Sequence, residues 1–243
     1  MDLSICTPTY RGAERVGRLL ESVNASDEQP AEVVIADDGS PPEEYEALRD
    51  VLARLAPHTK LVRSPSNRGC VATSRRAVEL STGRLVLMCD DDATIPHGLL
   101  LTLGRLYAAL PLLGVLSWRS EGHAPGQSAH PLAGFLQPAT QLAGYCMAFP
   151  RALYDKLDGL DTRFRTYCGD SDFALRATLA GRPCYRVWWP LVPHEEHAAF
   201  KRGDLDRQAI SEADLAAFRD KWGVDGPEME CRALGLLEAR AGR

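Results

Sequence analysis

Short apolar runs alternate with helical periodicity along the first half of the chain. The runs are typical of buried strands and occupy residues 3–6, 33–36, 61–63 and 85–88. Between them, apolar side chains recur at the three- and four-residue spacing of an amphipathic helix over residues 14–23, 45–55 and 71–80. Alternating strands and helices predict a mostly parallel sheet with helices on both faces.

The second half has a less regular pattern. Strands are predicted at residues 113–117, 145–149 and 184–189, and helices at 151–157, 170–180 and 211–222, with Ser211 as the last helix's N-cap. Residues 119–139 are rich in Gly, Pro, His, Ser and Gln, which predicts a loop or flap.

Composition narrows the class of protein. A chain of 243 residues is long enough for one large core, and 45% hydrophobic with 25% charged residues is a globular balance. The formal net charge of -5 gives no general attraction for nucleic acid or anionic lipid. We therefore expect no nucleic-acid partner.

The seven cysteines contain no CxxC pair, and their odd number and scattered spacing suggest neither a disulfide framework nor a zinc site. Reduced thiols are typical of a cytoplasm. The N-terminus lacks the pattern of a signal peptide, and no run reaches the roughly 18 apolar residues of a transmembrane helix. These features predict a cytoplasmic protein without a transmembrane segment.

Polar motifs follow three of the predicted strands where each strand ends. They are residues 7–11, Asp37-Asp38-Gly39-Ser40 and Asp90-Asp91-Asp92. Because ligands of open parallel sheets bind beyond the carboxyl ends of the strands, we expect these turns to converge on one rim.

The acidic triplet carries the sharpest chemical signal. Three adjacent carboxylates repel one another unless a cation lies among them. Mg²⁺ and Mn²⁺ prefer oxygen ligands and commonly use one or two carboxylates together with substrate phosphates. The alternative is a solvated acidic turn.

Several motifs in order along the chain carry a family resemblance. They are Thr7-Pro8-Thr9-Tyr10-Arg11, Val34 to Ser40, Asn67-Arg68-Gly69 with Arg75, Gly83 to Asp92 with Pro96, Cys168 to Arg176, and Phe218 to Gly223. Together they resemble the inverting GT-A glycosyltransferases of the large family 2 type, which includes relatives of cellulose and hyaluronan synthases. The resemblance covers residues 1–223.

The resemblance implies one α/β GT-A domain over residues 1–243. A Rossmann-like, nucleotide-sugar-binding half with a mostly parallel sheet would occupy residues 1–96. A mixed acceptor-binding and catalytic half would occupy 97–223, and a tail 224–243. The implied activity is inverting transfer of a sugar from a nucleoside diphosphate, with UDP or dTDP favoured, to an acceptor hydroxyl. The acceptor would be a small molecule, a glycan, a lipid-linked sugar or a peptide.

The same resemblance implies the residues that bind the donor. They are Thr7, Pro8, Thr9, Tyr10, Arg11, Asp38, Asn67, Gly69, Arg75 and Asp90. Asp38 would accept a hydrogen bond from the N3–H of uracil or thymine, since a carboxylate only accepts. Arg75 would lie near the base or the diphosphate as a cationic donor.

The implied cofactor is Mn²⁺ or Mg²⁺. The family's acidic motif usually places two Asp at five and seven residues before a proline, and counting back from Pro96 these positions are Asp91 and Cys89. We therefore rank Asp91 first as metal ligand, with Asp92 and Asp90 behind it. His194 lies where some relatives place a metal-ligating His. A structural His194, or His197 as the ligand instead, are the alternatives.

On the acceptor side, Asp170 is the expected general base. Gly169 stands where the family often has Glu, whereas Asp170 keeps the second carboxylate. Asp172 is four residues before Arg176, a spacing that predicts a helical ion pair and a structural role.

Two rival functions follow from the same residues. Asp90-Asp91-Asp92-Ala93-Thr94 also matches the DxDxT loop of haloacid-dehalogenase-type phosphatases, but that nucleophile normally follows the first strand of its domain. A non-catalytic sugar-nucleotide-binding module is the other alternative, and the intact Asp170 argues against it.

Overall fold

The computed structural model describes residues 1–120, 135–195, 200–201, 203 and 205–223. Its strands are β1 Leu3–Thr9, β2 Glu32–Asp37, β3 Lys60–Arg63, β4 Leu85–Cys89, β5 Leu116–Ser120, β6 Leu136–Pro138, β7 Cys146–Pro150 and β8 Tyr185–Val192. Its helices are α1 Ala13–Asn24, α2 Pro42–Leu55, α3 Cys70–Leu80, α4 Leu99–Ala109, α5 Arg151–Lys156, α6 Gly169–Leu179 and α7 Arg207–Trp222. The predicted tail, His197 and most of the predicted flap lie outside the described residues.

The described strands form one sheet in the order β3-β2-β1-β4-β7-β5-β8-β6. The first four strands of this order run parallel to one another. Strand β7 is antiparallel to both β4 and β5, so it joins the first half of the chain to the second within the sheet. Strand β8 pairs in parallel with β5 and antiparallel with β6. The predicted α/β class with a mostly parallel sheet is confirmed.

Helices cover both faces of the parallel part, as the alternating pattern predicts. Ile35 packs in the same cluster as side chains of α1 and α2. Its neighbour Val34 packs in the cluster that contains side chains of α3 and α6. Since successive residues of a strand face opposite sides, β2 is covered twice, which explains why its sequence is a continuous apolar run.

Three predictions of local structure need correction. Helix α4 was not predicted, because leucine fills most of its first turn and hides the helical period. Strand β6 lies within the predicted flap and gains its backbone hydrogen bonds from β8. Helix α7 begins before Ser211, since the side chain of Asp206 accepts a hydrogen bond from the backbone amide of Ala209 (3.0 Å) and caps the helix there.

Among the residues that the structure describes, no helix combines the length and apolar character that a membrane span requires.

Candidate active site

A cavity of about 340 Å³ lies at the carboxyl ends of β1, β2 and β4. The predicted site residues that line it are Pro8, Thr9, Tyr10, Asp38, Asn67, Gly69, Asp90, Asp91, Asp92, Asp170 and His194. The parallel register of the three strands delivers their terminal turns to one edge. The expected convergence of polar turns on one rim is confirmed.

Two of the three adjacent carboxylates form a group with an imidazole. One ligand atom each from Asp90, Asp92 and His194 lie within 4.8 Å of one another. The Nε2 atom of His194 is 3.1 Å from Oδ1 of Asp92. The backbone after β8 fastens this arrangement, because the amide of Glu195 donates to the carbonyl of Asp92 (2.9 Å). The ring of Tyr145 stacks on His194 with a centroid distance of 4.3 Å.

Asp91, ranked first as metal ligand from the sequence, lies in a different environment from Asp90 and Asp92, and its rank stays a prediction. Its carboxylate accepts hydrogen bonds from Nε (2.9 Å) and Nη2 (3.0 Å) of Arg15 and from the hydroxyl of Thr9. Both of its oxygens are therefore engaged by an ion pair and a hydroxyl. The carboxylates with metal-site spacing are those of Asp90 and Asp92.

The electrostatics of the cluster favour a cation. Burial, followed by repulsion from Asp92, raises the pKa of Asp90 to about 7, although His194 acts in the opposite direction. Burial also raises the pKa of Asp91 against the effect of Arg15. A divalent ion would relieve this repulsion. Two carboxylates and one imidazole are a donor set that accommodates Mn²⁺ or Mg²⁺, so the residues fit the implied cofactor.

Asp38 lines one side of the cavity together with Asn67, Gly69 and Arg165, a side that we call the Asp38 wall. Its Oδ1 accepts from the backbone amide of Arg68 (2.8 Å) and its Oδ2 from the amide of Gly69 (2.9 Å). Burial raises the pKa of Asp38 above its usual value. Beside it, Nη2 of Arg165 donates to Oδ1 of Asn67 (2.7 Å). This wall therefore presents one fixed carboxylate and one guanidinium.

Glycine is required at position 69. The residue has φ +94°, and a Cβ atom there would lie 2.4 Å from the carbonyl oxygen of Arg165. The turn that fixes Asp38 can therefore approach the Arg165 backbone only without a side chain.

Three residues expected to bind the donor do not line the cavity. Arg75 donates from Nη1 to the carbonyls of Asp158 (2.8 Å) and Leu160 (2.9 Å), so α3 directs it to bracing a loop. Thr7 is buried inside β1, and the backbone amide of Arg11 donates to the Ser40 hydroxyl (2.8 Å). The expected role of these three residues in donor binding stays a prediction.

Asp170 lies in the first turn of α6 and lines the cavity. Its Oδ2 accepts from the backbone amide of Gly144 and its Oδ1 from the amide of Ser171, each at 2.7 Å. Burial raises the pKa of this carboxyl above its usual value, towards the range in which a carboxylate takes up a proton. The carboxylate is fixed in position by two backbone donors.

Asp172 is buried and pairs with Arg176 as predicted, with Nε of Arg176 donating over 2.8 Å. Lys221 (2.6 Å) and the indole N–H of Trp222 (3.0 Å) also contact this carboxylate. The predicted ion pair is confirmed, and Asp172 ties α6 to α7.

Sequence reasoning missed Arg15, Tyr145 and Arg165 as members of the site. Arg15 had a signal, since a charged side chain four residues before Leu19 falls on the buried stripe of α1. Tyr145 was assigned only to a strand. Arg165 follows a turn-rich segment with no periodic pattern, so nothing local marks it.

The chain is similar to known glycosyltransferases in sequence and in fold. The model of "Glycosyl transferase family 2" matches residues 4–134. The glucosyl-dolichyl phosphate glucuronosyltransferase of Haloferax volcanii is 33% identical over 107 residues, which are 44% of this chain and 34% of that protein. The chain thus spans about a third of the length of the curated relative it matches.

Solved glycosyltransferases share the fold at low identity. Residues 1–349 of TarS from S. aureus superpose with a TM-score of 0.65 at 18% identity, over 88% of this chain and 70% of that one. The mannosyltransferase PcManGT from Pyrobaculum calidifontis, solved with GDP-Man and Mn²⁺, gives 0.67 at 20% identity, over 99% and 75%. The GT-A fold expected from the sequence is confirmed.

The family match argues against a haloacid-dehalogenase-type phosphatase. It covers more than half of the chain and includes the turns after β1, β2 and β4 that build the cavity. The chain belongs to glycosyl transferase family 2.

Proposed function

We propose that the chain transfers a sugar from a nucleoside diphosphate, with uridine or thymidine favoured, to an acceptor hydroxyl. The transfer inverts the anomeric centre and depends on a divalent cation. Residues 1–96 contribute most of the donor side of the cavity and residues 97–223 the acceptor side. One observation carries the proposal: the Asp90, Asp92 and His194 cluster and the buried Asp170 line the same cavity.

The cluster suits the diphosphate end of a donor. Asp90, Asp92 and His194 would hold Mn²⁺ or Mg²⁺, which neutralises the charge that develops on the leaving diphosphate. Nε and Nη2 of Arg15 are engaged by the carboxylate of Asp91. The mannosyltransferase PcManGT has been solved in complex with GDP-Man and Mn²⁺, which supports a divalent cation as cofactor.

Asp170 suits the acceptor end. A sugar hydroxyl is a poor nucleophile at neutral pH, so a positioned carboxylate that takes its proton lowers the barrier. The amides of Gly144 and Ser171 fix this carboxylate. Attack from the side opposite the diphosphate gives inversion.

Asp38 is suited to bind the nucleobase of the donor. Its oxygens each accept one backbone hydrogen bond, and each carboxylate oxygen has a second lone pair that can accept the N3–H of uracil or thymine. Uracil and thymine present this one N–H between two carbonyl oxygens, whereas guanine presents two adjacent donors, N1–H and N2–H, beside one carbonyl oxygen. TarS has been solved with UDP and with UDP-GlcNAc, which supports a uridine donor.

The test is a panel of uridine, thymidine, guanosine and adenosine diphosphate sugars, each with and without Mn²⁺. We expect uridine or thymidine donors to raise the melting temperature only when Mn²⁺ is present. We also expect slow hydrolysis of these donors, with water as the acceptor, to release nucleoside diphosphate. Stabilisation by no donor, or equal stabilisation in excess chelator, would contradict the proposal. Tighter binding of guanosine than of uridine and thymidine diphosphates would contradict the choice of base.

A further inference from the structure

Residues 165–167 line the cavity and are fastened from behind by one buried carboxylate of α7. Asp214 accepts from the backbone amides of Arg165 (2.7 Å), Thr166 (2.8 Å) and Tyr167 (2.7 Å). Its side chain is buried, with 2% of the residue exposed. A carboxylate only accepts hydrogen bonds, which makes it the right group to face three consecutive N–H donors.

The other side of this segment contacts the Asp38 wall. The carbonyl of Arg165 accepts from the backbone amide of Val71 (3.1 Å), at the start of α3. The same carbonyl lies against Gly69, where even a Cβ atom would not fit. The Arg165 guanidinium then reaches Asn67 (2.7 Å). The segment is therefore held between α7 and the turn that fixes Asp38.

The charges are consistent with this arrangement. The charge of Arg165 acts against the rise of the Asp38 pKa. The Arg165 guanidinium therefore contributes to the electrostatics of the Asp38 wall. Asp214 lies on the far side of the Arg165 backbone. It contacts the cavity only through the segment it holds.

We propose that Asp214 is a positioning residue for donor binding: it holds residues 165–167 so that Arg165 is placed on the Asp38 wall. The identity of the ligand rests on the proposed function, whereas the fastening of the segment does not. An ordered α7 is then a condition for a complete donor site.

The first experiment measures amide hydrogen exchange in the ligand-free protein. Asp214→Asn keeps the side-chain size but turns an NH₂ donor towards backbone donors. We expect exchange at residues 165–167 to become at least about tenfold faster, the effect of losing a hydrogen bond to a charged acceptor. Asp220→Asn, an exposed position on the same helix, is the control and should exchange as the unchanged protein does. Equal protection in Asp214→Asn would overturn the inference.

The second experiment measures UDP affinity by calorimetry in the presence of Mn²⁺. Asp214→Asn should raise the Kd about tenfold, and kcat at saturating donor should change little because Asp170 is untouched. Arg165→Met should weaken UDP binding similarly without changing exchange of the segment, and it serves if Asp214→Asn does not fold. The double variant should bind no more weakly than the weaker single variant, since both act through one guanidinium.

The outcomes separate the two proposals. Additive losses in the double variant, or normal UDP affinity in Asp214→Asn, would overturn the positioning role alone. If the unchanged protein binds none of the nucleoside diphosphates, the proposed function fails together with the donor-binding part of this inference. The exchange result then still decides whether Asp214 holds the segment.

Discussion

The three carboxylates at the end of β4 have adjacent positions and different partners. Arg15 and Thr9 engage Asp91, whereas Asp90 and Asp92 lie with His194. A buried ion pair that loses one partner leaves an uncompensated charge. The neighbours therefore separate a structural carboxylate from two ligand candidates.

Substitutions at this triplet should have two different effects. Asp92→Asn should raise the Kd for Mn²⁺ at least about tenfold, since even indirect partners of a metal ligand cost this much, with little change in stability. Asp91→Asn should lower the free energy of unfolding by about 3 kcal/mol, because Arg15 loses its counter-charge. Calorimetry with Mn²⁺ and urea unfolding measure the two quantities. Loss of Mn²⁺ binding in Asp91→Asn alone would restore the order expected from the sequence.

Asp170 and Asp172 provide a second contrast on one helix. Asp170→Asn should reduce kcat by about 10²–10⁴, the usual size of general-base catalysis, and leave donor affinity nearly unchanged. Asp172→Asn should mainly reduce stability, since it weakens contacts with Arg176, Lys221 and Trp222. Steady-state kinetics and thermal unfolding of both variants check this. An active Asp170→Asn beside an inactive, folded Asp172→Asn would reverse the two roles.

At the scale of elements, the tight turn at Gly69 shapes the Asp38 wall. Gly69→Ala should weaken UDP binding and destabilise the fold, because a Cβ atom would lie 2.4 Å from the Arg165 carbonyl oxygen. Gly98→Ala is a matched control, as Gly98 also has positive φ (+83°) but has nothing within 4 Å of a Cβ. The control should cost only the backbone strain of about 1 kcal/mol. Equal losses in both variants would show that the close approach has no effect.

The start of β2 should give the fold a specific dependence on pH. Burial alone would raise the pKa of Glu32, but hydrogen bonds from Lys60, Ser4 and Thr82 outweigh it and lower the pKa to about 2. A depressed pKa stabilises the fold above the unfolded pKa, and this stability is lost as pH falls towards 2.

Glu32→Gln should therefore lower the free energy of unfolding at pH 7 by about 1–2 kcal/mol after allowance for solvent screening, and the difference should shrink as pH falls from 5 towards 2. Urea unfolding over this range measures it. Glu21→Gln, an exposed position on α1, should stay within about 0.5 kcal/mol of the unchanged protein. A constant difference between Glu32→Gln and the unchanged protein across the range would contradict the assignment.

Elements with a clean local period were predictable, and those that depend on a distant partner were not. Strands β1 to β4 and helices α1 to α3 follow the apolar runs and stripes closely. Helix α4 escaped because its first turn is almost uniformly apolar, and β6 because its edge position depends on β8.

The same distinction applies to the site. Asp38, Asp90 and Asp170 belong to short motifs at element ends, and they line the cavity as expected. Arg165 and Asp214 acquire their roles from each other across the fold, which no local pattern shows. The engagement of Asp91 by Arg15 belongs to the same class of distant contact.

At the scale of the whole molecule, the two halves share one sheet through β7. Strand β4 has β1 on one side and β7 on the other, so neither half has a complete sheet alone. We therefore expect one cooperative unfolding transition.

The tryptophans allow a direct test. All 4 lie in the second half, at positions 118, 188, 189 and 222, so their fluorescence reports that half alone. Circular dichroism reports both halves. The two probes should give the same midpoint in urea. Separate midpoints would indicate that residues 1–96 unfold independently of the rest.

The cation cluster has a consequence for the newly made chain. Asp90 and Asp92 leave the ribosome well before His194, which is delivered only after β8. At synthesis rates of about 5–20 residues per second, roughly 5–20 s separate these events. A growing chain therefore has two of the three proposed cation ligands and no complete cluster during that interval. On the proposed function, a polypeptide that ends before β8 would therefore bind cation and sugar nucleotide poorly.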